Sequence, residues 1–227
     1  MPSIVAAAVK LARSPLNLRR AGADVSVPAN RPPADERPPA DRLLSAAERL
    51  FGEHGYWRTT VAGICAQAGM ATGSFYAYHQ SKSSIFTAVL RQINADLRAA
   101  QAAALRGTPD SQRARERASF RACFDLMSRR PWIFRVVREA EFLAPSEFRA
   151  YHERLARGYS RGLRAAQLAG EVDARLDPEV IAYVYAGLGY FIGMRWAEWT
   201  GDGRVPGDVF EDLMAVLAHG LSPAKRS

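Results

Sequence analysis

From Thr60 to Lys82 the chain reads "TVAGICAQAGMATGSFYAYHQSK", with hydroxyls at Thr60, Thr72, Ser74, Tyr76 and Tyr78, the small Gly73 among them, and the ammonium of Lys82 at the end. Hydroxyls donate and accept hydrogen bonds at base edges and at phosphate oxygens, an ammonium neutralises a phosphate, and a glycine lets backbone approach closely. The same hydroxyls make a poor catalytic set. His54, His79, His152 and His219 are scattered with no two at metal-ligand spacing, and there is no nucleophile elbow, phosphate loop or paired-cysteine cluster. Glu139 and Glu141 are two apart, so a helix turns them to different faces and they form no dyad. The reading assigns no catalytic residue, metal or cofactor.

The elements that would hold these groups follow from spacing. Val61, Ile64, Cys65 and Ala68 fall on one face of a short helix that Thr60 caps and Gly69 ends. Met70 plugs the turn, and a second short helix over about 72–79 turns Phe75 inward and its hydroxyls outward. Upstream, Leu43, Leu44, Ala47, Leu50 and Phe51 share a helical face that stops at Gly55 and Tyr56. Downstream, Ser81 caps a helix with Ile85, Phe86, Val89, Leu90, Ile93 and Leu97 inside, running to about Leu105. Further helices are predicted over about 111–128, 131–143, 145–169, 178–199 and 207–219, with Asp177 and Pro178 capping one of them. Sustained strand alternation is nowhere found, so the fold class is all-α. Residues 1–40, rich in Pro, Ala and Arg, form no regular element and read as an arm. It is either a solvated tail or a source of arginines for the DNA minor groove or phosphates.

Composition limits the class. Of 227 residues, 48% are hydrophobic, which suffices for a core and excludes disorder throughout. A net charge of +8 suits an anionic partner. The excess sits in residues 106–164, with 14 basic and 7 acidic side chains, whereas 165–227 carry 5 and 9, so the C-terminal end is predicted to avoid DNA. Cys65 and Cys123 lie far apart among helical apolar residues and read as packing groups in a reducing compartment. No apolar run reaches the roughly 20 residues of a membrane span, and no signal peptide is evident. The expected location is the cytoplasm, without a membrane partner.

The strings "AAERLFGEHGY", "TTVAGICAQAG" and "TGSFYAYH", followed by "SK", carry a resemblance over Leu44 to Ile85 to the DNA-binding domain of the TetR family of bacterial transcriptional regulators. The resemblance implies a three-helix helix-turn-helix domain over 38–98, behind an arm over 1–37 and ahead of a helical effector-binding and dimerisation domain over 99–227. It implies a homodimer that places each recognition helix in the major groove of one half of a palindromic double-stranded operator. By position, Thr60, Thr72, Ser74, Tyr76, Tyr78 and Lys82 match the family's DNA contacts. Gly73 allows close approach, and Ala71 stands where the family often has serine, so Thr72 is expected to take over the cap. His79 stands where the family often has phenylalanine.

For the C-terminal half the resemblance implies an effector pocket and a dimer interface. Residues 178–199 are apolar on nearly every side, and Gly189 and Gly193 would let two helices approach. With the final helix they would complete a four-helix dimer bundle. Pocket candidates are Trp132, Phe134, Arg138, Phe142, Tyr151, Tyr159, Tyr183 and Tyr190, suited to an apolar or acyl-CoA-like effector, although aromatics at helical spacing equally suit a core. Arg129, Arg130, Arg135, Arg154, Arg157, Arg161 and Arg164 would attract an anion or simply form solvated faces. The function read from the chain is a ligand-responsive repressor. The alternatives are an architectural DNA-binding protein and, less favoured, a helical enzyme.

Overall fold

The structure, a computed structural model, describes residues 37–221; the arm over 1–37 lies outside this range except for its last residue. Helix α1 (Pro39–Arg58) buries Leu43, Ala47 and Phe51, a stripe at four-residue spacing. It breaks at Gly55, whose φ of 77° and ψ of 171° are not helical. Helix α2 (Val61–Gln67) starts at Thr60, whose Oγ1 accepts a 3.0 Å bond from the Gly63 N–H. It ends at Gly69, where a φ of 65° suits only a residue without Cβ.

The recognition segment departs from the expected α-helix over 72–79. It is a 3₁₀ helix, Thr72–Ala77, without a side-chain cap. Ala71 stands at the cap position with a methyl that accepts nothing, and the Thr72 hydroxyl does not replace it. Helix α3 (Lys82–Leu105) opens with a reciprocal capping box between Ser81 and Ser84. Its first turns pack on α1, with the Phe51 and Phe86 rings edge-on at 5.2 Å. Its later turns pack on α4 (Gln112–Arg129), α5 (Ile133–Leu143) and α6 (Pro145–Leu168).

Helix α7 (Pro178–Gly193) is capped by Asp177, whose Oδ1 accepts from the Glu179 N–H at 2.7 Å. The apolar segment does not stay α-helical to 199 but ends in a π turn, Met194–Glu198, where the Trp199 N–H reaches back to the Met194 carbonyl. Helix α8 (Gly207–Leu221) closes the described chain. Gly193 makes the interior packing possible, since a Cβ there would meet Met127 Sδ and Phe134 Cζ at 2.9 Å. The two glycines of α7 thus bring it onto α4 and α5 of its own chain. Cys65 and Cys123 are buried and free, and burial pushes the Cys123 thiol up to about 12. No helix among the described residues is long and apolar enough to cross a membrane.

Candidate nucleic-acid interface and effector groove

Phe75 fixes the recognition segment. Its ring is fully buried, so the short helix around it must present Thr72, Gly73, Ser74, Tyr76 and Tyr78 to solvent. Tyr76 is 62% exposed and Tyr78 45%, and the hydroxyls of Thr72, Ser74, Tyr76 and Tyr78 bond nothing among the described residues. Thr60 and Ala71 are exposed beside them. His79 is half-buried with its ring 5.7 Å from that of Phe75, and burial holds its pKa below the ordinary imidazole value, which makes it a neutral packing group at pH 7.

Lys82 is placed differently from the free phosphate ligand that its motif position implies. Its Nζ donates to the Tyr56 and Thr59 carbonyls, both at 3.0 Å, and lies 4.2 Å from the Tyr56 ring centroid. It therefore closes the C-terminal end of α1, where backbone acceptors are left without helical partners. Arg42, which the sequence reading missed, does the same for α2, donating to the Ala68 carbonyl at 2.6 and 3.1 Å and to the Gly69 carbonyl at 3.1 Å. Two cations thus hold the bihelical turn rigid beneath the hydroxyl strip.

Helix α5 meets α1 through three side chains. The Trp132 ring lies against Gly52, so closely that a Cβ on Gly52 would stand 2.6 Å from Trp132 Cγ. Arg135 donates to the Gly52 and Glu53 carbonyls at 2.8 and 2.6 Å, and Glu139 accepts the Tyr56 N–H at 2.9 Å. Trp132 therefore packs on the helix-turn-helix rather than among the other pocket candidates.

Those candidates are not gathered in one place. Phe134 is fully buried against Tyr190, ring centroids 5.8 Å apart, and Arg138 forks onto Glu198 at 2.7 and 2.8 Å. Phe142 is 83% exposed, on the outer face of α5, away from the groove described below. Tyr151 and Tyr159 sit within the α6 packing, where burial holds both phenols above their usual range. Tyr183 is exposed at the rim of an open groove of about 1300 Å³ between α3 and α6. Ala95, Ala99, Ala102 and Leu155 give this groove apolar walls, and Tyr159, whose hydroxyl accepts from Gln101 Nε2 at 2.6 Å, also lines it. Its arginines include Arg98, Arg161 and Arg164, which have no ion-pair partner among the described residues. Arg157 faces Glu153 at 3.7 Å, and Arg154 is tied to Glu147.

The Tyr159 ring stands 5.4 Å from that of Tyr185, whose hydroxyl donates to Glu116, which also accepts from Gln112 Nε2 at 2.9 Å. Burial, then the neighbouring carboxylate, pushes the Tyr185 phenol upward. The sequence reading missed this trio, although Gln112 and Glu116, four apart on the stripe that continues to Phe120 and Cys123, were a visible polar interruption. Among the described residues no group of three or more His, Cys, Asp or Glu could hold a metal.

Residues 43–89 match the family model described as bacterial regulatory proteins of the tetR family. The HTH-type transcriptional activator FasR of Mycolicibacterium smegmatis is 31% identical over 121 residues, 53% of this chain and 54% of that protein. The fatty acid metabolism regulator protein of Bacillus subtilis is 32% identical over 57 residues, 25% of this chain and 29% of that one. The chain thus spans about half, or less, of the curated relatives it matches. In structure it is similar to the transcriptional regulator FadR of Bacillus subtilis, solved with stearoyl-CoA, with a TM-score of 0.71 at 16% identity, covering 80% of this chain and 98% of that one. The likeness is one of fold. Residues 43–89 thus match the regulatory domain of the tetR family, and the described residues share the all-helical fold of such a regulator.

Proposed function

We propose that the protein is an effector-controlled transcriptional repressor that binds a palindromic operator as a homodimer, working in the cytoplasm. The observation that carries this reading is the strip of hydroxyls at Thr72, Ser74, Tyr76 and Tyr78, exposed, unpartnered and pinned by the buried Phe75. Thr72, Ser74 and Tyr76 meet base edges with Gly73 against the backbone, while Thr60, Ala71 and Tyr78 lie along the phosphates. Lys82 keeps at most one N–H for a phosphate, so its larger part is to orient α1 against the recognition segment. Residues 38–98 serve DNA and 99–227 serve effector and dimer, with α3 common to both. Val180, Val184, Phe191 and Val216 form the exposed apolar face for the second subunit.

The groove between α3 and α6 is the proposed effector site, its alanine walls suited to a chain and its free arginines to an anionic head. Stearoyl-CoA, present in the Bacillus subtilis FadR structure, is the first ligand to try. Release of DNA requires the effector to favour a dimer whose recognition segments are wrongly spaced.

Selection of duplexes from a random pool by the purified chain is expected to return an inverted repeat with half-sites about one helical turn apart. No enrichment, or binding without sequence preference, overturns the reading in favour of an architectural protein. Titrating stearoyl-CoA, coenzyme A and stearate into the protein–duplex complex tests the effector, and no release at saturation by any of them removes it.

A further inference from the structure

Beyond the hydroxyl strip, Trp57 stands 78% exposed in the last turn of α1, after the break at Gly55. It is the outer end of a ladder of rings. Phe51, fully buried, stacks on Tyr56 at 5.8 Å, and Trp57 meets Tyr56 edge-on at 5.4 Å. The Tyr56 ring carries the Lys82 ammonium on its face, and the Tyr56 N–H and carbonyl are taken by Glu139 and Lys82. The residue beneath the indole is therefore held on several sides, while the indole N–H itself has no acceptor among the described residues.

Arg58 follows, exposed and without an ion-pair partner among the described residues, and Thr60 comes two positions later. No acidic residue occurs between Glu53 and Asp96, whereas Arg58, Lys82 and Arg91 do. The nearest carboxylates are Glu53, four residues before Trp57, and Glu139, which is engaged by the Tyr56 N–H, so Arg58 is the unpaired charge beside the indole among the described residues. An exposed, unpaired guanidinium beside an exposed indole N–H offers two donors to an anionic backbone.

We infer that Trp57 and Arg58 form an additional contact to the DNA sugar-phosphate backbone, the indole packing on deoxyribose with its N–H on a phosphate and the guanidinium on a neighbouring phosphate. The inference rests on the DNA-binding reading above but concerns residues outside the motif that carries it. Such a contact adds affinity without sequence information.

The test uses the full chain, a labelled duplex selected by the wild type, and a second duplex of unrelated sequence. Trp57→Ala is expected to weaken both complexes about tenfold, and Trp57→Phe, which keeps a ring but loses the N–H, about threefold. Neither changes the slope of log affinity against log salt, because no charge is removed. Arg58→Gln lowers that slope by about one. Trp57→Phe also abolishes part of the tryptophan quenching that DNA causes in the wild type. Unchanged thermal melts of these exposed-site variants separate lost contact from lost fold. If the variants bind both duplexes as the wild type does, the inference is overturned and the operator reading stands. If the wild type binds no duplex, both fall together.

Discussion

Lys82 and Ser74 lie eight residues apart, and the structure gives them opposite kinds of work. Removing the Lys82 ammonium leaves the Thr59 carbonyl without its donor and the Tyr56 carbonyl with only the long 3.3 Å bond from the Thr59 N–H, at a half-buried helix end. Lys82→Met is therefore expected to cost about 1–2 kcal/mol of stability, read as a lower denaturation midpoint, and to weaken binding to every duplex alike. Ser74→Ala removes a hydroxyl that bonds nothing among the described residues, so stability is expected to stay within about 0.5 kcal/mol while base preference shifts. A Lys82→Met variant as stable as the wild type would show that the ammonium is not the cap of α1. This contrast also marks what the chain reveals residue by residue. The Thr60 cap and the inward turn of Phe75 depend on neighbours within four positions and were legible. The partners of Arg42 and Lys82 stand 26 positions away in sequence for Ala68 and Tyr56, and only the folded backbone brings them into reach.

At the level of elements, the helices followed from apolar spacing and caps, whereas the two irregular turns did not. Nothing in "TGSFYA" or "MRWAE" distinguishes a tighter or wider winding from an α-helix, because that choice depends on how Phe75 and Met194 seat in the core. The pairing of α3 with α6 was equally invisible, and beside the Asn94–Tyr151 and Gln101–Tyr159 bonds it includes Glu147. This carboxylate, 8% exposed, accepts from Arg91 of α3 at 2.8 and 2.9 Å and from Arg154 of its own helix. Burial alone would raise its pKa, but the two guanidinium groups outweigh that and hold it below the ordinary value of 4.5. A carboxyl whose folded pKa is depressed contributes stability above its unfolded value and loses it as pH falls through the folded one. Glu147→Gln is accordingly expected to cost about 1–2 kcal/mol at pH 7 and to flatten the acid limb of the stability curve below about pH 4.5. Urea denaturation of both proteins between pH 3 and 7 checks this. Parallel curves across that range would mean that the carboxylate is not held by its arginines.

For the whole molecule the deciding quantity is the face that α7 and α8 leave uncovered. Val180, Phe191 and Val216 are each more than 60% exposed and Val184 is 48% exposed, on helices whose opposite sides bury Ile181, Tyr185, Leu213 and Leu217. Val180, Val184 and Phe191 follow one face of α7, and such a run of exposed apolar side chains is the mark of an interface. A second copy is the occupant that the regulator reading requires, since each chain offers one recognition segment and a palindrome has two half-sites. Phe191→Glu places a charge on that face without touching the core. It is expected to shift the protein to monomer in sedimentation, with its helical content intact. Loss of the partner turns a two-point contact into one, so affinity for the full inverted repeat is expected to fall at least about 100-fold. Affinity for an isolated half-site is expected to stay as it was. A variant that stays dimeric, or a monomer that binds the full repeat as tightly as the wild type, would remove the two-subunit mechanism.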